Sequence, residues 1–132
     1  TLTSIDDEME HTQIAKLAFS EADIAQARYR LITNTVVDVI SKLTDRAYDL
    51  VVLRHNPEDL SYVIGEAHRI LRSGGALVID NYYGAGKVSD AAQRDPKTVA
   101  LRDAGKIIKN DSEHWVSSLI PIGDGLLIAT KV

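Results

Sequence analysis

Asp80 and Asn81 stand side by side where an apolar run, Ala76 to Ile79, comes to an end. A carboxylate and an amide so placed offer two hard oxygen ligands, a donor set that suits a magnesium-type cation holding hydroxyl oxygens. Asp6 ends another β-rich run, and a carboxylate at the carboxyl end of a strand can accept hydrogen bonds from both hydroxyls of a ribose. Asp6, Asp7 and Glu8 suit the start of a helix as well, so a capping role competes with that reading. Arg54 and His55 follow a third run, Tyr48 to Leu53. They supply a permanently charged guanidinium and an imidazole with a pKa useful to a general base. His55 is therefore the candidate catalytic base, although an exposed histidine just before a helix explains it equally well. His11, His68 and His114 show no ligand spacing and read as structural. Tyr82 and Tyr83, in a loop with Gly84 and Gly86, either line a ligand pocket or are exposed for dimer contact, with Lys87 near the rim.

The elements that must position these residues alternate between short β-rich runs and longer amphipathic ones, the pattern of βα units on a mostly parallel sheet. Thr1 to Ile5 is predicted as a strand, followed by a helix over Asp7 to Ser20 with Ile14, Leu17 and Ala18 on its apolar face. Tyr29 to Thr33 is the next strand, and Asn34 is expected to cap a helix in which Val36, Val37, Ile40 and Leu43 recur at helical spacing. Tyr48 to Leu53 is nearly all apolar, as in a central strand buried on both faces. Asn56-Pro57-Glu58-Asp59 then starts a helix running to about Leu71, which Ser73-Gly74-Gly75 is expected to stop before the strand Ala76 to Ile79. Ligands of open α/β sheets bind at the carboxyl ends of such strands. Asp95-Pro96 opens a further helix to about Lys109. Trp115 to Ile120 and Leu126 to Thr130 flank a short turn-rich segment and are expected to form an antiparallel hairpin.

Composition narrows the function classes. The chain has 132 residues, 45% hydrophobic and 26% charged, as expected of one ordinary globular domain. Fifteen basic and nineteen acidic residues, interspersed without runs, give a net charge of -4 and disfavour binding to nucleic acid or to anionic lipid. The absence of cysteine excludes disulfides, thiolate metal sites and a cysteine nucleophile, and fits a cytoplasmic location. No apolar run approaches the roughly 20 residues of a membrane span. Thr1-Leu2-Thr3 resembles neither a signal peptide nor an initiator sequence, so the chain is expected to be the later part of a longer domain.

Four stretches resemble one family, the cation-dependent class I O-methyltransferases that include the catechol and caffeoyl-coenzyme A enzymes. Leu2-Thr3-Ser4-Ile5-Asp6 looks like that family's second strand with its terminal acid. Tyr48-Asp49-Leu50-Val51-Val52-Leu53 looks like its fourth, and Leu71 to Asn81 like its fifth. Gln93-Arg94-Asp95-Pro96-Lys97-Thr98, with the hairpin Pro121 to Lys131, completes a similarity that spans the chain. The resemblance implies a Rossmann-like α/β fold closed by an antiparallel hairpin, with residues 1–132 as the C-terminal part of a single methyltransferase domain. The family's first strand, glycine-rich loop and amino-terminal helices are not matched here.

The resemblance further implies S-adenosylmethionine as cofactor, with Asp6 on its ribose and Thr35 and Val36 at its adenine. Arg54 and His55 join them as cofactor-binding candidates, and Asp80 and Asn81 are the metal pair. The sequence departs from the family pattern at Arg54, where a third carboxylate is expected, and at Pro57, where a lysine helps deprotonate the substrate. A guanidinium among the ligands opposes magnesium binding. The resulting expectation is methyl transfer to a small hydroxylated acceptor, by a protein expected to be a homodimer. The alternative is a non-catalytic Rossmann-like binding or dimerisation module that has lost its metal and base residues. A nicotinamide-dependent oxidoreductase shares the fold class but has no dedicated support.

Overall fold

The computed structural model describes residues 1–54 and 59–132, and the chain divides into two compact units, 1–42 and 43–132. In the first unit, β1 (Leu2–Asp6) and β2 (Tyr29–Thr33) pair in parallel, with Asp6 opposite Thr33. Between them lies α1 (Met9–Glu21), and α2 (Val36–Ile40) follows β2. The helix α1 does not turn the expected stripe inward. Ile14 and Leu17 are open to solvent, whereas Thr12, Ala15 and Phe19 are partly covered. Two side-chain contacts hold this face: the Thr33 hydroxyl donates to Thr12 Oγ1 at 3.0 Å, and the Phe19 and Tyr29 rings lie 4.6 Å apart. The cap of α2 is Thr35, one residue later than expected, and the helix stops at Ile40, short of Leu43.

The second unit is a four-stranded sheet in the order β3 (Tyr48–Leu53), β4 (Leu71–Ile79), β6 (Leu126–Lys131), β5 (Trp115–Ile120). The β3 and β4 strands are parallel, and β4, β6 and β5 are joined by antiparallel pairings, so the expected terminal hairpin is present. The crossover between β3 and β4 carries α3 (Leu60–Ile70), while α4 (Pro96–Asn110) precedes β5. Leu60, Val63, Ile64, Ala67 and Ile70 recur at helical spacing and are all buried. They share the core with Leu71, Leu77 and Ile79 of β4, Ala104 and Ile108 of α4, Trp115, and Leu127 and Ala129 of β6. The expectation of a strand buried on both faces fails for β3. It lies at one end of this sheet with Leu50 and Val52 more than half exposed.

Gly74 and Gly75 do not stop a helix, as the sequence led us to expect. The α3 helix ends at Ile70 and β4 begins at once, with Leu71 opposite Tyr48. From there to the next pair, Ala76 opposite Leu50, β4 advances five residues while β3 advances two. Gly74 at φ 76° lets the surplus bulge out, and a Cβ on Gly75 would stand 2.9 Å from the Arg72 carbonyl. No glycine cap is needed, because α3 receives its closing donors from elsewhere. The buried Lys131 ammonium donates to the carbonyls of His68 (2.7 Å) and Leu71 (2.8 Å), and the Arg46 amide donates to that of Arg69 (3.1 Å).

Candidate functional site

Chain direction in the second unit brings the carboxyl ends of β3 and β4 to one edge, so Arg54 and Asp80, the residues that follow them, are neighbours. Arg54 Nε lies 3.1 Å from Asp80 Oδ2. The other carboxylate oxygen accepts the Asn81 amide at 2.8 Å, and Asn81 takes a left-handed φ of 54°, which asparagine tolerates and which turns the chain sharply away from the sheet. An open cleft of about 280 Å³ begins here, lined by Arg54, Asp80, Asn81, Lys87, Lys97 and Asp95 among others.

The loop from Tyr82 to Lys87 is pinned on both sides. Tyr82 and Tyr83 donate their amides to the carbonyls of Gly125 (3.0 Å) and Asp124 (2.8 Å), and the Asp124 carboxylate accepts the Ala85 amide at 2.8 Å. Neither tyrosine lines the cleft. Tyr82 is buried against α4, where a Cβ on Gly105 would fall 1.9 Å from its hydroxyl, and the Tyr83 ring lies over Gly125, 2.8 Å from where a Cβ would be. Burial raises the Tyr82 phenol above its ordinary pKa despite Arg102 nearby. Arg102 fixes the rest of the segment by donating to the carbonyls of Val88 (3.2 Å), Asp90 (2.9 Å) and Gln93 (3.2 Å). Asp95 caps α4, accepting the Thr98 amide at 3.1 Å and its hydroxyl at 2.8 Å. The hydrogen bonds from Thr98, with a smaller contribution from Lys87, hold the Asp95 carboxyl below its ordinary pKa.

In the first unit the Asp6 carboxylate projects from the end of β1. One oxygen accepts the Glu8 amide at 2.8 Å in a turn just ahead of α1, whose N-cap is Glu8 and receives no side-chain capping bond, and His11 Nδ1 lies 3.1 and 3.2 Å from the two oxygens. The carboxylate remains about 39% exposed, with lone pairs open to a diol at a strand end. It fits a ribose. His11, expected to be merely structural, shares this cluster, and only its place in the first turn after a strand-ending acid hints at that. Thr35 and Val36 follow β2; the Thr35 hydroxyl caps α2 and donates to Asp38 at 2.9 Å. His55, the candidate base, and Pro57 lie outside the described residues.

A divalent cation does not fit Asp80 and Asn81. Arg54 already occupies one carboxylate oxygen, and no cluster of three metal-binding side chains exists among the described residues. A cation would have to displace a guanidinium and then share the site with it.

A profile described as O-methyltransferase matches residues 1–132. The chain belongs to that O-methyltransferase family. Its members are S-adenosylmethionine-dependent class I enzymes, and the α/β architecture above is theirs. A relative from Mycobacterium sp. (strain KMS), carrying the provisional name O-methyltransferase, is 44% identical over 130 residues, covering 98% of this chain and 59% of that protein. A Corynebacterium glutamicum crystal structure superposes with a TM-score of 0.92 at 37% identity, covering all of this chain and 61% of that one. The Bacillus cereus O-methyltransferase, solved with S-adenosylhomocysteine, superposes with a TM-score of 0.87 at 17% identity, covering 98% of this chain and 62% of that one. This family member thus spans about three fifths of the relatives it matches. The residues that sequence reasoning overlooked here are His11 on Asp6 and Lys97 in the cleft. Among the described residues no helix is long and apolar enough to cross a membrane.

Proposed function

We propose that the protein is an S-adenosylmethionine-dependent O-methyltransferase that methylates a small hydroxylated acceptor without a divalent cation. The observation that carries this reading is the Arg54 to Asp80 ion pair at the strand ends of a chain matched along its whole length by the family. Asp6 would hold the ribose hydroxyls of the cofactor, with His11 orienting its carboxylate. Thr35 and Val36 would flank the adenine. S-adenosylmethionine, when bound, supplies a methyl group on a positively charged sulfur. That methyl would pass to the acceptor oxygen, the sulfur keeping the bonding pair as a neutral thioether. The acceptor's hydroxyl proton leaves to a base, the role we assign to His55. Arg54 supplies the positive charge that a metal ion provides elsewhere, favouring the deprotonated oxygen. Alignment accounts for most of the remaining catalysis.

The same ion pair, by satisfying Asp80 internally, also favours a second reading: a module that binds the cofactor and does no chemistry. The test is calorimetric titration with S-adenosylhomocysteine, with and without EDTA, together with methyl transfer from labelled S-adenosylmethionine to catechol-type acceptors. We expect binding and transfer that EDTA leaves unchanged. Loss of transfer with EDTA defeats the cation-free mechanism; binding without transfer to any acceptor favours the module; no binding at all defeats both readings.

A further inference from the structure

The chain as a whole is acidic, yet the cleft at the ends of β3 and β4 gathers Arg54, Lys87 and Lys97 against Asp80 and Asp95. Both carboxylates are engaged. Asp80 is paired with Arg54 and takes the Asn81 amide, and Asp95 spends both oxygens on Thr98. Among the described residues neither lysine ammonium makes an ion pair or hydrogen bond, although Lys87 is close enough to act on Asp95, so three cationic side chains face two carboxylates and the net charge of the cleft is positive. Lys97 stands in the first turn of the 15-residue helix α4, and the helix dipole adds to that charge. Lys87 is held in place by a loop whose backbone is fixed at Asp124, Gly125 and Arg102. At about 280 Å³ the open cleft has room for a single-ring molecule.

From this we infer that the acceptor carries an anionic group, carboxylate or phosphate, which Lys87 and Lys97 bind while its hydroxyl is presented beside Arg54 and Asp80. The inference rests on the methyltransferase reading above and adds the substrate class to it. A neutral catechol satisfies the hydroxyl contacts but leaves both ammonium groups unpaired, whereas an acid of the same size pairs them.

The test compares 3,4-dihydroxybenzoate with catechol by calorimetry on the protein saturated with S-adenosylhomocysteine, using the unmodified chain and Lys87→Gln/Lys97→Gln. The unmodified protein should prefer the acid by about tenfold or more, as charge-assisted hydrogen bonds confer. The double variant should lose that preference and keep its affinity for S-adenosylhomocysteine, and added salt should erode the preference in the unmodified protein alone. Competition by benzoate and by phenyl phosphate then separates carboxylate from phosphate. Equal affinity for the acid and catechol, failure to bind either, or no displacement by either competitor overturns the inference while cofactor binding persists. Failure to bind S-adenosylhomocysteine overturns the methyltransferase reading itself.

Discussion

Gly105→Ala in α4 sets two effects of known size against each other. Helix propensity alone favours alanine over an interior glycine by about 0.8–1.0 kcal/mol. The structure opposes that gain, because the new methyl would lie 1.9 Å from the Tyr82 hydroxyl oxygen and 2.9 Å from the ring carbon that bears it. Tyr82 is buried and its backbone is tied to Gly125, so its ring cannot swing clear without moving the loop that carries Lys87. Overpacking of this kind costs about 1–3 kcal/mol, so the clash outweighs propensity and the variant should be destabilised by up to about 2 kcal/mol net. Urea unfolding at fixed protein concentration measures this. Tyr82→Phe removes the atom that is hit first, so in that background the same substitution should cost about 1 kcal/mol less, a coupling typical of residues in contact. A Gly105→Ala protein more stable than the unmodified chain, or a double-mutant cycle with no coupling, would refute the placement of Tyr82 against α4.

Asp6→Ala should weaken S-adenosylhomocysteine binding by about 1.5–3 kcal/mol, the range for hydrogen bonds to a charged group, and an unchanged calorimetric Kd would leave Asp6 only its contacts with Glu8 and His11. Burial, reinforced by Lys131 and His114, holds His68 below its ordinary pKa of 6.5, and Nε2 has no hydrogen-bond partner among the described residues. The unfolded chain therefore binds the proton more readily, so stability attributable to His68 is present above pH 6.5 and declines as the pH falls below it. His68→Leu should flatten that limb of the melting temperature against pH, and an unaltered slope would remove His68 as its source. Leu50 and Val52, exposed on a strand at the end of its sheet, should promote self-association, which sedimentation at micromolar concentration would detect. A monomer across that range would count against the homodimer expected from the sequence.

The strand ends were legible in the sequence because they are marked by chemistry as well as by pattern: a β-rich run closed by Asp6, by Arg54, or by Asp80 and Asn81. The terminal hairpin was legible from its turn residues. What could not be read was how helix ends are satisfied at a distance. Lys131 closes α3 from 60 residues further along the chain, and that contact removes the need for the glycine cap at Gly74 and Gly75. Glycines that serve a ring, Gly105 under Tyr82 and Gly125 under Tyr83, look in sequence like a weak helix position and an ordinary turn. The inward face of α1 was likewise settled by Thr12 and Phe19 meeting Thr33 and Tyr29, partners distant in sequence.

The most direct measurement of the central claim is a magnesium or manganese titration of the unmodified protein and of Arg54→Asp, each with S-adenosylhomocysteine present. Arg54 puts a fixed positive charge 3.1 Å from Asp80, and magnesium depends on carboxylates and dehydrates reluctantly. The unmodified protein should show no saturable binding at millimolar cation. The variant, which removes the repulsion and restores a third carboxylate at the end of β3, should bind. Tight cation binding by the unmodified protein, or no gain in Arg54→Asp, would contradict the assignment of Arg54 as the charge that stands where a metal would.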